Sequence, residues 1–165
     1  MKHLERLLSW RGHPALALAA RLYLGGVFVY AAWHKIVSPA DFAVDVATYR
    51  MLPLAAINLF ALVLPWVEII AGGMLLVGLR TRAAALLVAG MMAMFIVALA
   101  VALARGLDMS CGCFAAQSSA DPISGWTMAR DGGWLALALY VLLVDRRPLG
   151  LDRLLKGGVD ATART

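Results

Sequence analysis

The chain has two cysteines, and they stand one residue apart as Cys111-Gly112-Cys113. As a structural staple this spacing achieves little, because closing so short a loop removes very little chain entropy. The ring is also tight, since bridged cysteines prefer Cα atoms about 5.5–6 Å apart and a definite S–S torsion. Gly112 relieves part of that strain by accepting unusual backbone angles. A strained, accessible disulfide has a raised reduction potential and belongs to the labile, reactive kind. Thiol–disulfide exchange is the favoured chemistry, with a pair of buried thiols or a plain bridge as the bland alternative. A soft-metal reading competes. Met109, Cys111 and Cys113 offer three sulfurs suited to Cu(I), and His34 is able to add a nitrogen. A zinc site would want a second pair of ligands, which the sequence lacks.

Ionisable residues inside apolar runs form the second group of candidates, because they are costly in a bilayer and usually functional. Glu68 lies more than two turns from either end of its run, and Arg21 about two turns into the first run. If the two runs are antiparallel neighbours, an extended Arg21 side chain approaches Glu68. The bland reading is a structural ion pair, and the sharper one gives Glu68 hydrogen bonding or proton exchange with a reducible ligand. Pro65 one turn earlier frees a carbonyl and kinks the helix, and Gly72 with Gly73 admits a close neighbour. A third group collects at one end of the runs: Trp33, His34 and Lys35, then Tyr49 and Arg50, then Trp126, Arg130 and Asp131. Most of these aromatics read as an interface belt. Arg130 or Lys35 near the cysteines would favour a thiolate, and Asp131 reads as a neutraliser of Arg130. Met91, Met92 and Met94 read as packing filler.

The elements that must position these residues follow from composition. Of 165 residues, 62% are hydrophobic and only 15% charged, and mean hydropathy is +0.81. A water-soluble fold of this size cannot hide that much apolar surface. A cytosolic enzyme, a disordered segment and a disulfide-rich secreted module are therefore excluded. Four apolar runs reach the roughly 20 residues a spanning helix needs: Ala15–Trp33, Leu52–Leu79, Ala83–Ala104 and Trp126–Val144. The fold expected is all-α, an integral-membrane four-helix bundle over 15–145. Residues 1–14 form an interfacial segment and 146–165 a basic tail. Each run is apolar all round, so periodicity does not show which face packs inward.

Ten of the fifteen basic residues fall in the N-terminal segment, the second connection (Arg80, Arg82) and the tail. The positive-inside rule puts those three regions, and both termini, in the cytoplasm. The 34–51 and 105–125 connections then lie outside, with the cysteines in the compartment where disulfide chemistry belongs. In a bacterium this is a multi-pass inner-membrane protein with a periplasmic Cys-Gly-Cys loop. The net charge of +5 is a topology signal, and no nucleic-acid partner is expected. The bilayer itself is the first partner.

Arg21 followed by Gly25, Phe28 and Lys35, with Pro65, Glu68 and Gly72 and then Arg80 and Arg82, resembles the DoxX-like group of small four-helix membrane proteins. Cys111-Gly112-Cys113-Phe114, with Arg130-Asp131 opening the last run, is similar to the methylamine-utilisation MauE branch of that group. The resemblance covers about residues 15–145, and the Cys-Gly-Cys-Phe element carries most of its specificity. Ala115 stands where a glycine is expected, and Asp131 where asparagine is more usual. The resemblance implies a membrane thiol oxidoreductase that supports disulfide formation in exported proteins. Its partner would be an exported thioredoxin-fold protein or a disulfide-containing substrate protein. Its electrons would be exchanged with a membrane quinone, ubiquinone or menaquinone. On that reading Cys111, Cys113, Glu68 and Arg130 do the chemistry. Trp33, His34, Lys35, Phe114, Trp126 and Arg21 hold the quinone. The alternatives that remain are a copper- or mercury-binding membrane protein and a non-catalytic anchor subunit of a redox complex.

Overall fold

A computed structural model describes residues 13–107 and 125–145. The expected interfacial helix before them, the Met109–Phe114 run with both cysteines, and the basic tail lie outside the described residues. Within them the chain forms α1 (His13–Val37), α2 (Pro39–Thr48), α3 (Leu54–Val77), α4 (Thr81–Ala104) and α5 (Gly125–Val144). Four of these, α1, α3, α4 and α5, are long and apolar enough to cross a membrane. The chain is a multi-pass membrane protein, and each apolar run of the sequence falls on one long helix. The expectation of an all-α four-helix bundle is met.

The short helix α2 was not expected. Its start signals are nonetheless ordinary: Ser38 at the N-cap, Pro39 in the first turn and Asp41 close behind. It is too short to span, and it lies across one end of the bundle against α3 and α1. The chain leaves α4 and re-enters α5 at this same end. There the Arg105 guanidinium donates to the carbonyl of Arg50 at 3.3 Å, tying the two connections together. At the other end, α3 closes on left-handed Gly78 (φ 75°). The Leu79 N–H reaches back to the Met74 carbonyl at 3.0 Å, a Schellman closure.

In ring order the long helices run α1, α3, α4, α5; sequence neighbours and the closing α5–α1 pair are in contact, and the diagonals scarcely touch. Burial picks out one stripe per helix. On α3 it is Ile57, Ala61, Pro65, Glu68, Gly72 and Leu75, and on α1 it is Ala17, Arg21, Leu24, Phe28, Ala31 and Lys35. Polar and small residues thus mark the inward faces that hydropathy alone leaves hidden. Helix α3 runs unbroken through Pro65.

The core cluster belongs to the half of the bundle near the α3–α4 turn. Small residues dominate it (Ala20, Ala71, Ala84, Ala85, Ala138), with Leu24, Leu75, Val88 and Val141 between them. Small side chains let membrane helices approach closely, and dispersion then supplies the attraction that lipid cannot. The closest approach is α1 on α3. A Cβ placed on Gly25 would lie 2.8 Å from the Gly72 carbonyl oxygen, and one on Gly72 would lie 3.0 Å from the Gly25 carbonyl oxygen. Gly73, paired with Gly72 in the sequence reading, takes no part: a Cβ there meets nothing within 4 Å.

These neighbouring glycines supply their own controls. Gly25→Ala forces backbone apart and is expected to cost about 1–3 kcal/mol. Gly26→Ala and Gly73→Ala meet open space and should be neutral or stabilise by up to about 1 kcal/mol, since alanine suits a helix better. Thermal unfolding of the detergent-purified variants checks this order.

Candidate functional site

Lys35 lies near the end of α1 and Glu68 near the middle of α3, on the same side of the Gly25–Gly72 crossing, and their side chains span the offset between them. The Lys35 ammonium donates to both carboxylate oxygens of Glu68, at 2.7 and 2.8 Å, with both side chains buried. A third side of the ammonium faces the Phe42 ring of α2, 5.0 Å from its centroid. Three helices therefore close around one charge pair in apolar surroundings. Such a pair roughly balances the desolvation of its members, whereas either member alone would be strongly unfavourable.

The same crossing corrects the expected Arg21–Glu68 approach. Four residues back from Gly25, Arg21 stands level with Leu76, which is eight residues or about 12 Å beyond Glu68 along α3. Arg21 instead pairs with Asp145 at the end of α5, 3.5 Å away, with both side chains buried. Depth within each run had suggested the contact, but register decides it. Arg21 therefore sits in the half of the bundle away from Glu68.

Around Lys35 and Glu68 the bundle opens into a cavity of about 430 Å³. Pockets of roughly 300–1,000 Å³ suit small molecules and cofactors. Its walls come from all five helices. Phe28 and Ala31 come from α1, Phe42 and Val46 from α2, Phe60 and Leu64 from α3, Met91 to Phe95 from α4, and Trp134 from α5. Tyr49, assigned to the interface belt from sequence, is buried there and stacks edge-on to Phe95 at 6.2 Å. Met91 and Met92 pack on the core as expected, but they also line this space. At its edge stand exposed Met51, Leu52, Met94 and Val97, an apolar mouth for a molecule arriving from lipid.

Besides Lys35 and Glu68, two carboxylates line the cavity, Asp45 and Asp131. Asp45 lies on α2, outside the spanning helices; burial, with Asp41 nearby, raises its pKa above the usual carboxylate range. Asp131, one and a half turns into α5, is 1% exposed. Its Oδ1 accepts from the Arg130 Nε at 3.1 Å. The Arg130 guanidinium also lies 4.9 Å from the centre of the Trp134 ring, and the Trp134 indole donates to the Tyr23 hydroxyl at 3.3 Å.

Of the residues singled out in the sequence, Lys35 and Glu68 meet at the cavity, and Arg130 stands behind it through Asp131. Trp33 and Trp126 are 60% and 78% exposed and face outward, as belt residues do. His34 is exposed and stacks edge-on against Tyr30 at 4.7 Å. Cys111, Cys113 and Phe114 lie outside the described residues. Asp45 and the wall residues Phe42, Phe60, Phe95 and Trp134 were not singled out in the sequence, and Asp131 was read only as the neutraliser of Arg130. Among the described residues no three His, Cys, Asp or Glu side chains converge as a metal site.

Comparison with known proteins gives the same picture of kinship. Residues 13–144 match the family model described as Methylamine utilisation protein MauE. The chain belongs to the MauE family. It is 33% identical over 140 residues to the methylamine utilization protein MauE of Methylophilus methylotrophus, covering 84% of this chain and 74% of the relative. It is 34% identical over 129 residues to the protein of the same name from Paracoccus denitrificans, covering 78% and 69%. No solved structure matches the chain. The family match spans all five helices, so the residues lining the cavity all fall within the matched stretch.

Breaking the central pair has a defined signature. Lys35→Met or Glu68→Leu alone strands a buried charge and should destabilise by about 3–5 kcal/mol, while the double variant recovers most of that loss. Thermal unfolding of the four proteins as a double-mutant cycle measures it.

Proposed function

We propose that this chain is a membrane thiol–disulfide oxidoreductase that serves methylamine utilisation, the process named for its relatives. Its Cys111–Cys113 pair would exchange electrons between an exported thioredoxin-fold protein, or a substrate protein with disulfides, and a membrane quinone. The observation that carries this reading is the position of the cavity. An apolar chamber holding a buried ion pair lies in the half of the bundle where the chain leaves α4 and returns as α5, and the cysteines belong to that connection. The positive-inside rule puts this end outside, with both termini in the cytoplasm.

At the thiol end the chemistry needs only the two sulfurs. A thiolate of the reduced partner attacks one sulfur of the Cys111–Cys113 disulfide and forms a mixed disulfide. The partner's second thiol resolves it, so the partner leaves oxidised and the pair is left as a dithiol. With a single pair in the chain, the dithiol must then be reoxidised in place. A quinone bound in the cavity supplies an acceptor of two electrons and two protons. The chain's residues fit such a group: Phe42, Tyr49, Phe95 and Trp134 present flat apolar walls, and the Lys35–Glu68 pair supplies a polar point on the cavity wall. Glu68 holds the Lys35 ammonium in place.

Cys111→Ser and Cys113→Ser should each abolish quinone-dependent thiol oxidation in proteoliposomes. In native membranes, alkylation and mass spectrometry should find the pair oxidised after quinone and reduced after a dithiol donor. Full activity in both serine variants overturns the mechanism. A stable co-purifying partner whose activity survives loss of both thiols would mark an anchor subunit instead. Thiols indifferent to quinone but shielded from alkylation by Cu(I) would mark a soft-metal carrier.

A further inference from the structure

Helix α4 is packed at both ends and loose in the middle. Its buried residues are Thr81, Ala84, Ala85, Val88 and Ala89 toward the α3–α4 turn, then Leu99 and Ala102 toward the other end. From Gly90 to Ala98, a stretch of about two and a half turns, no residue is buried. This stretch forms the α4 wall of the cavity. Met91, Met94 and Ala98 share one flank of the helix, and all three line the chamber. Met94 and Val97 line it while being 46% and 59% exposed, so the chamber is continuous with the outer surface of the bundle beside α4.

The other rim of this opening belongs to α3. Counted from the helix ends Val77 and Thr81, Leu64 is as far from the turn as Met94, and Phe60 as far as Ala98, so these pairs stand level. Phe60 and Leu64 are half-buried and also line the chamber. Although a tight turn joins them, α3 and α4 touch far less than α1 and α3 or α4 and α5 do. Their gap is closed at each end, by the Schellman turn at one. At the other, Tyr49 packs on Phe95 and Arg105 holds the Arg50 carbonyl. What remains is a slot at mid-length of two spanning helices, with apolar side chains on both rims. At that depth the bilayer is hydrocarbon and holds no water.

We propose that the ligand of this cavity carries a hydrocarbon tail, which leaves through the slot between α3 and α4 into the bilayer while the ring lies inside. The proposal rests on the proposed function for the ring and adds to it the tail and the route. Apolar rims offer nothing to hold a polar chain, and a slot facing acyl chains admits an alkyl or prenyl chain without desolvating anything. The tail gains little free energy by entering, because lipid is as apolar as the side chains it meets. Its effect is orientation. With the tail held between Leu64 and Met94, the ring presents the edge remote from the tail to the interior, where Lys35 and Glu68 lie. Methionine suits the α4 rim, since its flexible thioether repacks around chains of different shape.

Tailed and tailless ligands separate the slot from the chamber. Decylubiquinone and the tailless dimethoxy-methyl-benzoquinone are titrated into Cys111→Ser/Cys113→Ser protein in proteoliposomes, with concentrations referred to the membrane. Tryptophan quenching reports binding, Trp134 being on the cavity wall. Ala98→Phe, opposite Phe60, should weaken decylubiquinone about tenfold, the scale of overpacking by a side chain, and leave the tailless ring unaffected. Met94→Trp narrows the slot from an exposed position and should show the same selectivity, with thermal unfolding reporting that both variants are folded. A diazirine on the tail should cross-link to Leu64, Met94 or Val97. Equal weakening of both quinones, no weakening of either, failure of decylubiquinone to bind, or cross-links at Met51 and Leu52 instead overturns the proposal. Quinone-dependent oxidation of the thiols is read separately in the chain that keeps both cysteines. Its failure with the selective loss intact removes the redox function and leaves the slot; its success with cross-links elsewhere does the reverse.

Discussion

The contact between the backbones of α1 and α3 at Gly25 and Gly72 fixes nearly everything else in the bundle. With carbonyl oxygens lying where a Cβ would be, the two helices have no freedom to slide past one another. Register then follows by counting. Residues beyond Gly25 on α1 rise to meet residues before Gly72 on α3, so Lys35 reaches Glu68 and Arg21 is carried away from it. In water such a crossing would be helped by burial of apolar surface. In a bilayer the lipid tails are as apolar as leucine, and the contact depends on close packing and on the ion pair beyond it.

That crossing also explains why the two halves of the bundle differ. Toward the α3–α4 turn, alanines on α3, α4 and α5 let the helices close up and leave no room. Toward α2 the inward residues become Phe28, Phe42, Phe60, Phe95 and Trp134, and large rings cannot fill the widening space without gaps. The tight half gives the open half a rigid base, so the cavity is a consequence of where the small residues end. Helix α2 roofs one side of it with Phe42 and Tyr49.

The sequence discloses the membrane helices because run length alone defines a span, and the observed helices differ from the runs by only a few residues. It discloses partners poorly. Apolar runs carry no periodicity, so Glu68 could be located in depth but not in azimuth or register; Gly25 and Gly72 held that information, but two glycines do not say which carbonyl they admit. Asp131 was read as the local mate of Arg130, and the Arg130 Nε does donate to its Oδ1, but its burial on the cavity wall depends on how α5 packs. Tyr49 misled for a related reason. Its depth is that of a belt residue, but α2 folds it inward, and a ten-residue helix with two aspartates escapes any search for spans. The cysteines, most legible of all as chemistry, fall outside the described residues, so their role rests on the sequence.

The charges around the cavity limit what can enter it. Lys35 cancels Glu68 and Arg130 cancels Asp131. Asp45, outside the spanning helices, has its pKa raised by burial and by nearby Asp41. An organic anion would arrive in a low-dielectric chamber whose lining cation, Lys35, is already paired. To be compensated it would have to break a pair, at the cost of stranding the other member. A neutral molecule meets no such barrier. The walls are largely apolar and aromatic, and the exposed Met51, Leu52, Met94 and Val97 keep the cavity edge apolar as well, so the chamber suits an uncharged, largely apolar molecule.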